Sequence, residues 1–211
     1  MIYKPQPSVS SHMKNIIILI SGGGSNMKSI VKRAQKAQWL HRFQTQISLV
    51  LSNNPLAEGL EWAQEQGLPT AVVDHRQFLQ DAHPRRAFEE ALIQRIEPHR
   101  PELVVLAGFM RILSPYFVSH YANKVMNIHP SLLPAFTGLH THQRAIEAGV
   151  KFSGASVHWV SEELDAGHII DQALVPLLPD DTQISLASRV LTQEHLLYPR
   201  VIENWLKTQT A

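Results

Sequence analysis

An α/β fold built on one mainly parallel sheet is what this sequence predicts, and three observations predict it. Apolar runs of strand length alternate with stretches of helical spacing from residue 15 to residue 148. Two of those runs, residues 15–20 and 103–107, are apolar throughout rather than alternating, as strands covered on both faces require. Beyond residue 154 two strand-like runs follow each other without a helix between them, which adds an antiparallel pair. The expectation is a single domain over residues 14–211, a twisted sheet with helices on both faces and an antiparallel C-terminal strand pair.

Each element has its own local signal. Residues 15–20 form the first strand, and Ser21-Gly22-Gly23-Gly24-Ser25-Asn26 leads into a helix with Met27, Ile30, Val31 and Ala34 on one face. Residues 47–51 are the second strand. A helix opens at Asn54-Pro55, with proline in the tolerated first turn, and stops near Gly67. A short strand at 70–73 precedes a helix at 84–97 that buries Phe88, Leu92 and Ile96. Residues 103–107 are the most hydrophobic run and take the central place. Ser114-Pro115 caps a short helix, residues 125–128 are a strand, and a helix at 142–148 ends at Gly149. Strands at 155–160 and 168–175 form a hairpin. Thr182 starts the closing helix, which Pro199 interrupts and which ends near Leu206. Residues 1–13, with two prolines and little periodicity, read as a disordered lead-in or vector-derived segment.

Composition narrows the function. A 44% hydrophobic fraction with 18% charge describes an ordinary soluble globular protein. The net charge of +1, from 19 Lys+Arg against 18 Asp+Glu, gives no electrostatic case for nucleic acid or an anionic membrane. The absence of cysteine excludes a disulfide scaffold, a thiolate nucleophile and a Cys-built zinc site. No run approaches the roughly 18 apolar residues of a membrane span. With no signal peptide in view, a cytoplasmic location is expected.

The chemistry gathers around Met126-Asn127-Ile128-His129-Pro130-Ser131-Leu132-Leu133-Pro134. Two prolines end the strand abruptly, and Asn127 and His129, two apart, leave an extended chain by the same face. An amide donor thus stands beside a titratable imidazole at a strand's carboxyl end, where open α/β sheets form their ligand crevices. The glycine loop lies between a strand and a helix, where free backbone N–H groups and the helix dipole favour an anion. It lacks the lysine of a Walker loop, and Met27 stands where the dinucleotide fingerprint has its third glycine. A mononucleotide-sized phosphate ligand is the preferred reading; a tight turn that merely needs glycine is the alternative. Glu162-Glu163-Leu164-Asp165-Ala166-Gly167 is an acidic turn that would on its own read as solvated surface. His140, His142, His158 and His168 have no carboxylate at ligand spacing, so no metal is expected. Arg85, Arg86 and Arg111 are cations without interleaved aromatic residues, suited to one anionic ligand group rather than to nucleic acid.

Five segments occur in a telling order: residues 15–26 (NIIILISGGGSN), 106–113 (LAGFMRIL), 127–134 (NIHPSLLP), 138–142 (GLHTH) and 163–167 (ELDAG). Together they resemble the folate-dependent glycinamide ribonucleotide formyltransferases over nearly the whole ordered chain. Gly23 departs from the pattern, standing where asparagine is common. The resemblance implies a formyltransferase-like fold, 10-formyltetrahydrofolate as co-substrate, glycinamide ribonucleotide as acceptor, no metal, and a monomer or homodimer. It implies Asn127, His129 and Asp165 as catalytic residues. It assigns Gly24, Ser25, Asn26 and Glu194 to the ribonucleotide. The folate side is assigned to Arg85, Met110, Arg111, Ile112, Leu113, Asn127, Ser161, Glu162, Glu163, Leu164 and Asp165. Adjacent Arg86 leaves the arginine register open.

Three rival classes share parts of this pattern. A formyltetrahydrofolate deformylase uses the same trio with water as acceptor, but normally carries an N-terminal regulatory domain. A methionyl-tRNA formyltransferase carries a C-terminal RNA-binding barrel. A non-catalytic folate or nucleotide-binding module has no use for Asn127, His129 and Asp165 together. The transferase is the expectation.

Overall fold

The computed structural model describes residues 13–209, so the expected lead-in lies outside the described residues except for Met13. The elements in chain order are β1 (Lys14–Ile20), α1 (Ser25–Lys36), α2 (Trp39–Phe43), β2 (Thr45–Ser52), α3 (Glu58–Glu65), β3 (Thr70–Val72), α4 (Pro84–Ile96) and β4 (Pro101–Leu106). They continue with α5 (Pro115–His120), β5 (Val125–His129), α6 (Thr141–Glu147), β6 (Phe152–Trp159), β7 (Ile169–Pro176) and α7 (Gln183–Thr208). The strands form one sheet in the order β3-β2-β1-β4-β5-β6-β7, with β4 at the centre as its hydrophobicity predicts. All pairs from β3 to β5 are parallel. The antiparallel part is larger than one pair, because β6 runs against both β5 and β7.

Alternation along β1 shows how the layers are built. Ile16, Ile18 and Ile20 enter one core with Met27, Ile30 and Val31 of α1 and Val190, Leu197, Val201 and Ile202 of α7. Ile17 and Leu19 enter a second core on the opposite face, with Phe88, Leu92 and Ile96 of α4 and Phe117 and Val118 of α5. Both faces of the central strands are therefore covered, which accounts for runs with no polar alternation.

Three local expectations are corrected. The helix expected at Asn54-Pro55 starts later, at Glu58, because the Asn54 carboxamide accepts a bond from Leu56 N at 3.1 Å and holds a turn there. Ser114 precedes α5 but does not cap it with its side chain; its hydroxyl donates instead to Glu89. Pro199 does not interrupt α7, which runs continuously to Thr208. The bond that proline forfeits is offset by burial of Leu197, Tyr198, Val201 and Ile202 around it. The Tyr198 hydroxyl also lies 2.8 Å from the Met126 carbonyl and 3.2 Å from that of Leu106, tying α7 to β5 and β4. Thr182 does cap α7, accepting from Ser185 N at 3.1 Å within a capping box.

Candidate active site

The site occupies the part of the sheet where the apolar cover of α4 and α5 ends. Met126 and Ile128 of β5 point into the α1/α7 core, so Asn127 and His129 point to the opposite face. Across the antiparallel ladder Asn127 stands opposite His158 and His129 opposite Ser156, which places four polar side chains on one patch. Ser156 supports the turn after β5: its hydroxyl donates to Ser131 O at 2.7 Å and accepts from Leu133 N at 2.9 Å.

The expected trio comes together here. Asp165 reaches back from the loop after β6, with its Oδ2 at 3.4 Å from His129 Nδ1 and accepting from Gly138 N at 2.8 Å. His129 and Asp165 are both nearly inaccessible, with side chains 8% and 7% exposed, so their interaction is little screened. His129 Nε2 donates to the Phe136 carbonyl at 3.0 Å, which leaves Nδ1 as the nitrogen facing the carboxylate. Asp165 has a φ of 54°, a left-handed conformation that aspartate and asparagine tolerate better than most residues.

His158 is a member of this cluster that sequence reasoning missed, having weighed it only as a metal ligand. Its Nδ1 lies 3.1 Å from the Trp159 carbonyl, which can only accept, so the proton sits on Nδ1. Burial holds its pKa below the ordinary histidine value, against the raising effects of the Trp159 bond and of Asp165. The neutral ring therefore presents an unprotonated Nε2, which accepts from Asn127 Nδ2 at 3.1 Å. That bond fixes the Asn127 carboxamide and leaves its second N–H for another acceptor. Only the β5/β6 register reveals this pairing, and sequence alone does not give that register.

The glycine loop meets the trio from the α1 side. Gly24 precedes α1 with a φ of 67°, and Ser25 and Asn26 begin the helix. Asn26 Nδ2 donates to Glu194 of α7 at 2.6 Å, joining residues 168 apart. Burial raises the Glu194 pKa, while the Asn26 bond and the nearby His129 lower it. The Asn26 Oδ1 and His142 Nδ1 atoms are buried without a hydrogen-bond partner among the described residues. Both suit a polar ligand that completes their bonding. Ser21 links the loop to the segments that follow β2 and β4: its hydroxyl donates to Asn53 Oδ1 at 2.6 Å and accepts from Met110 N at 2.8 Å.

The residues expected on the folate side are more dispersed. Met110, Arg111 and Ile112 are exposed, whereas the Leu113 side chain is buried in the α4/α5 core and has only its backbone to offer. Arg85 is exposed at the start of α4, lining a pocket of about 540 Å³ with His83, Ser114 and Tyr116. Arg86 pairs with Glu90 at 2.7 Å and stacks over Tyr116, so its charge is already engaged. This favours Arg85 as the arginine available to a ligand. In the acidic turn Glu162, Glu163 and Leu164 are exposed and only Asp165 turns inward; Ser161 donates to the Glu163 carbonyl at 3.0 Å. Among the described residues no group of three or more His, Cys, Asp or Glu side chains is placed to hold a metal ion. Among them also, no helix is long and apolar enough to cross a membrane.

Known proteins share this architecture. A model of the formyl transferase family matches residues 14–202. The phosphoribosylglycinamide formyltransferase of Escherichia coli is 46% identical over 188 residues, 89% of this chain and 85% of that protein. The crystal structure of the phosphoribosylglycinamide formyltransferase from Brucella melitensis superposes with a TM-score of 0.83 at 42% identity, covering 92% of this chain and 96% of that one. Glycinamide ribonucleotide transformylase 1 from Symbiobacterium toebii gives a TM-score of 0.85 at 35% identity, covering 97% and 92%.

Proposed function

The chain belongs to the formyl transferase family, and from that premise we propose its reaction and the residues that perform it. The formyl group of 10-formyltetrahydrofolate passes to the amine of glycinamide ribonucleotide, giving formylglycinamide ribonucleotide and tetrahydrofolate in purine biosynthesis. One observation carries the assignment of roles: a carboxamide, an imidazole and a carboxylate converge on one patch, with Glu194, bonded to Asn26, near enough to feel the charge of His129.

Attack of the amine on the formyl carbon puts negative charge on the formyl oxygen. Asn127 donates its free N–H to that oxygen, already oriented by His158 and so without reorganisation during the step. His129 stands on the same patch with the Asp165 carboxylate 3.4 Å from its Nδ1, so an imidazolium formed as the amine gives up its proton is supported there. The pair His129–Asp165 then serves as the route by which the proton lost by the amine reaches the departing folate nitrogen. Direct attack needs no covalent enzyme intermediate, and the chain has no cysteine to form one. Gly24, Ser25 and Asn26 take the ribonucleotide phosphate through backbone N–H groups at the start of α1, and Glu194 takes a donor of the same substrate. Arg85, the 110–113 segment and the 161–165 turn bound the folate side. All of these residues come from one chain, in keeping with a monomer or a homodimer. A cytoplasmic location follows from the same reading.

The test is the appearance of folate product by absorbance with and without glycinamide ribonucleotide. Turnover that depends on the amine supports the transferase. Turnover that ignores the amine would identify a hydrolase using water as acceptor.

A further inference from the structure

The segment at 108–113, which connects β4 to α5, has no helix or strand of its own, and Met110 and Ile112 stand 70% and 58% exposed. Its shape must come from what holds its ends. At the near end the Ser21 hydroxyl accepts from Met110 N at 2.8 Å. At the far end Glu89 of α4 accepts from Ser114 N at 2.6 Å and from the Ser114 hydroxyl. Glu89 is 1% exposed, an unusual place for a carboxylate on a helix that otherwise buries apolar groups there. Burying that charge costs free energy that an apolar contact would spare. What the carboxylate adds is direction, since two charge-assisted bonds to one residue fix both position and orientation. Arg85 lies one helical turn before Glu89, so the same clamp sets the distance between that arginine and the segment.

We infer that Glu89, through its two bonds to Ser114, is a positioning residue for the folate co-substrate. It holds the 110–113 wall against the helix that carries Arg85. The inference rests on the reading of that segment as the folate wall, and its test separates the two. Glu89→Gln keeps the size and one acceptor while weakening both bonds. It should raise KM for 10-formyltetrahydrofolate about tenfold and leave kcat and KM for glycinamide ribonucleotide within about twofold. Ser114→Ala should act in the same direction, by about threefold, and it removes no helix cap because the hydroxyl makes none. The double variant should be no worse than Glu89→Gln by more than about twofold, because both changes act on one contact. Equal rises in both KM values, or a lowered thermal midpoint with an unchanged folate KM, would overturn the inference. If Glu89→Gln does not fold, Ser114→Ala decides alone. Ile112→Ala alters the wall itself. A raised folate KM there, with Glu89→Gln and Ser114→Ala silent, removes only the clamp; no effect from any of the three removes the wall and the clamp together.

Discussion

Replacing Asp165 by asparagine isolates the charge that supports His129. The substitution is gentle in structure: asparagine accepts the left-handed backbone at this position, and its carbonyl oxygen can keep the 2.8 Å bond from Gly138 N. What disappears is a carboxylate 3.4 Å from His129 Nδ1. Two unit charges at that separation interact by about 5 kcal/mol at an effective dielectric constant of about 20. The carboxamide dipole and local water recover part of this, and a residual of about 2.7 kcal/mol corresponds to a hundredfold loss in kcat. Because the imidazolium is needed mainly when charge has formed on the formyl oxygen, both KM values should change far less than kcat. Initial rates at saturating concentrations of both substrates give kcat, and a thermal melt on the same preparation shows that the variant is folded. A folded Asp165→Asn enzyme with kcat within about fivefold of the parent would refute the assigned role.

Asn127→Ala and His129→Ala should each lower kcat by at least about a hundredfold, and the double variant should lose less than the product of the two, since both serve one developing charge. Steady-state kinetics on the three proteins checks this. Glu194 has its pKa raised by burial, so the folded protein holds this proton more tightly than the unfolded chain does. Its contribution to stability is therefore fully present below the unfolded pKa and is lost as pH rises through the folded value. Glu194→Gln should flatten that decline in melts taken from acid to neutral pH, and should raise KM for the ribonucleotide. Gly24→Ala should lower stability by roughly 1–2 kcal/mol, because φ is 67° and the new Cβ would come within 2.8 Å of Met27 Cε. A denaturant melt with an unchanged midpoint would show that the loop tolerates a side chain there.

The strands were legible because their burial is written as apolar, β-branched runs, and β4 advertised its central place by having no polar position between Leu103 and Leu106. Segments decided by a single local bond were not. The start of α3 depends on the Asn54 turn, and five-residue α2 is too short to show a period. The 3₁₀ turns at His75–Phe78 and Glu97–His99 are shorter still. Within the site, Asn127 and His129 were visible as a pair because a strand has a period of two. Asp165 and Glu194 became visible only through resemblance, since the fold alone brings them across dozens of residues to His129 and Asn26. Glu89 gave no signal, because a helix with a buried carboxylate has the same spacing as one with a solvated carboxylate.

The Asn26–Glu194 bond joins α1 to α7, and this has a consequence for how the molecule comes into being. On the ribosome the glycine loop, Ser21, Glu89 and the trio all emerge before α7. Until α7 docks, Asn26 has no Glu194 to bond, and the α1 face of β1 and β4 lacks most of its apolar cover. The event that seals this core is thus the same event that makes the Asn26–Glu194 bond of the proposed nucleotide site. A chain in which α7 has not docked keeps the glycine loop proposed for the phosphate but lacks Glu194, so tight capture of the ribonucleotide is expected only once α7 is in place.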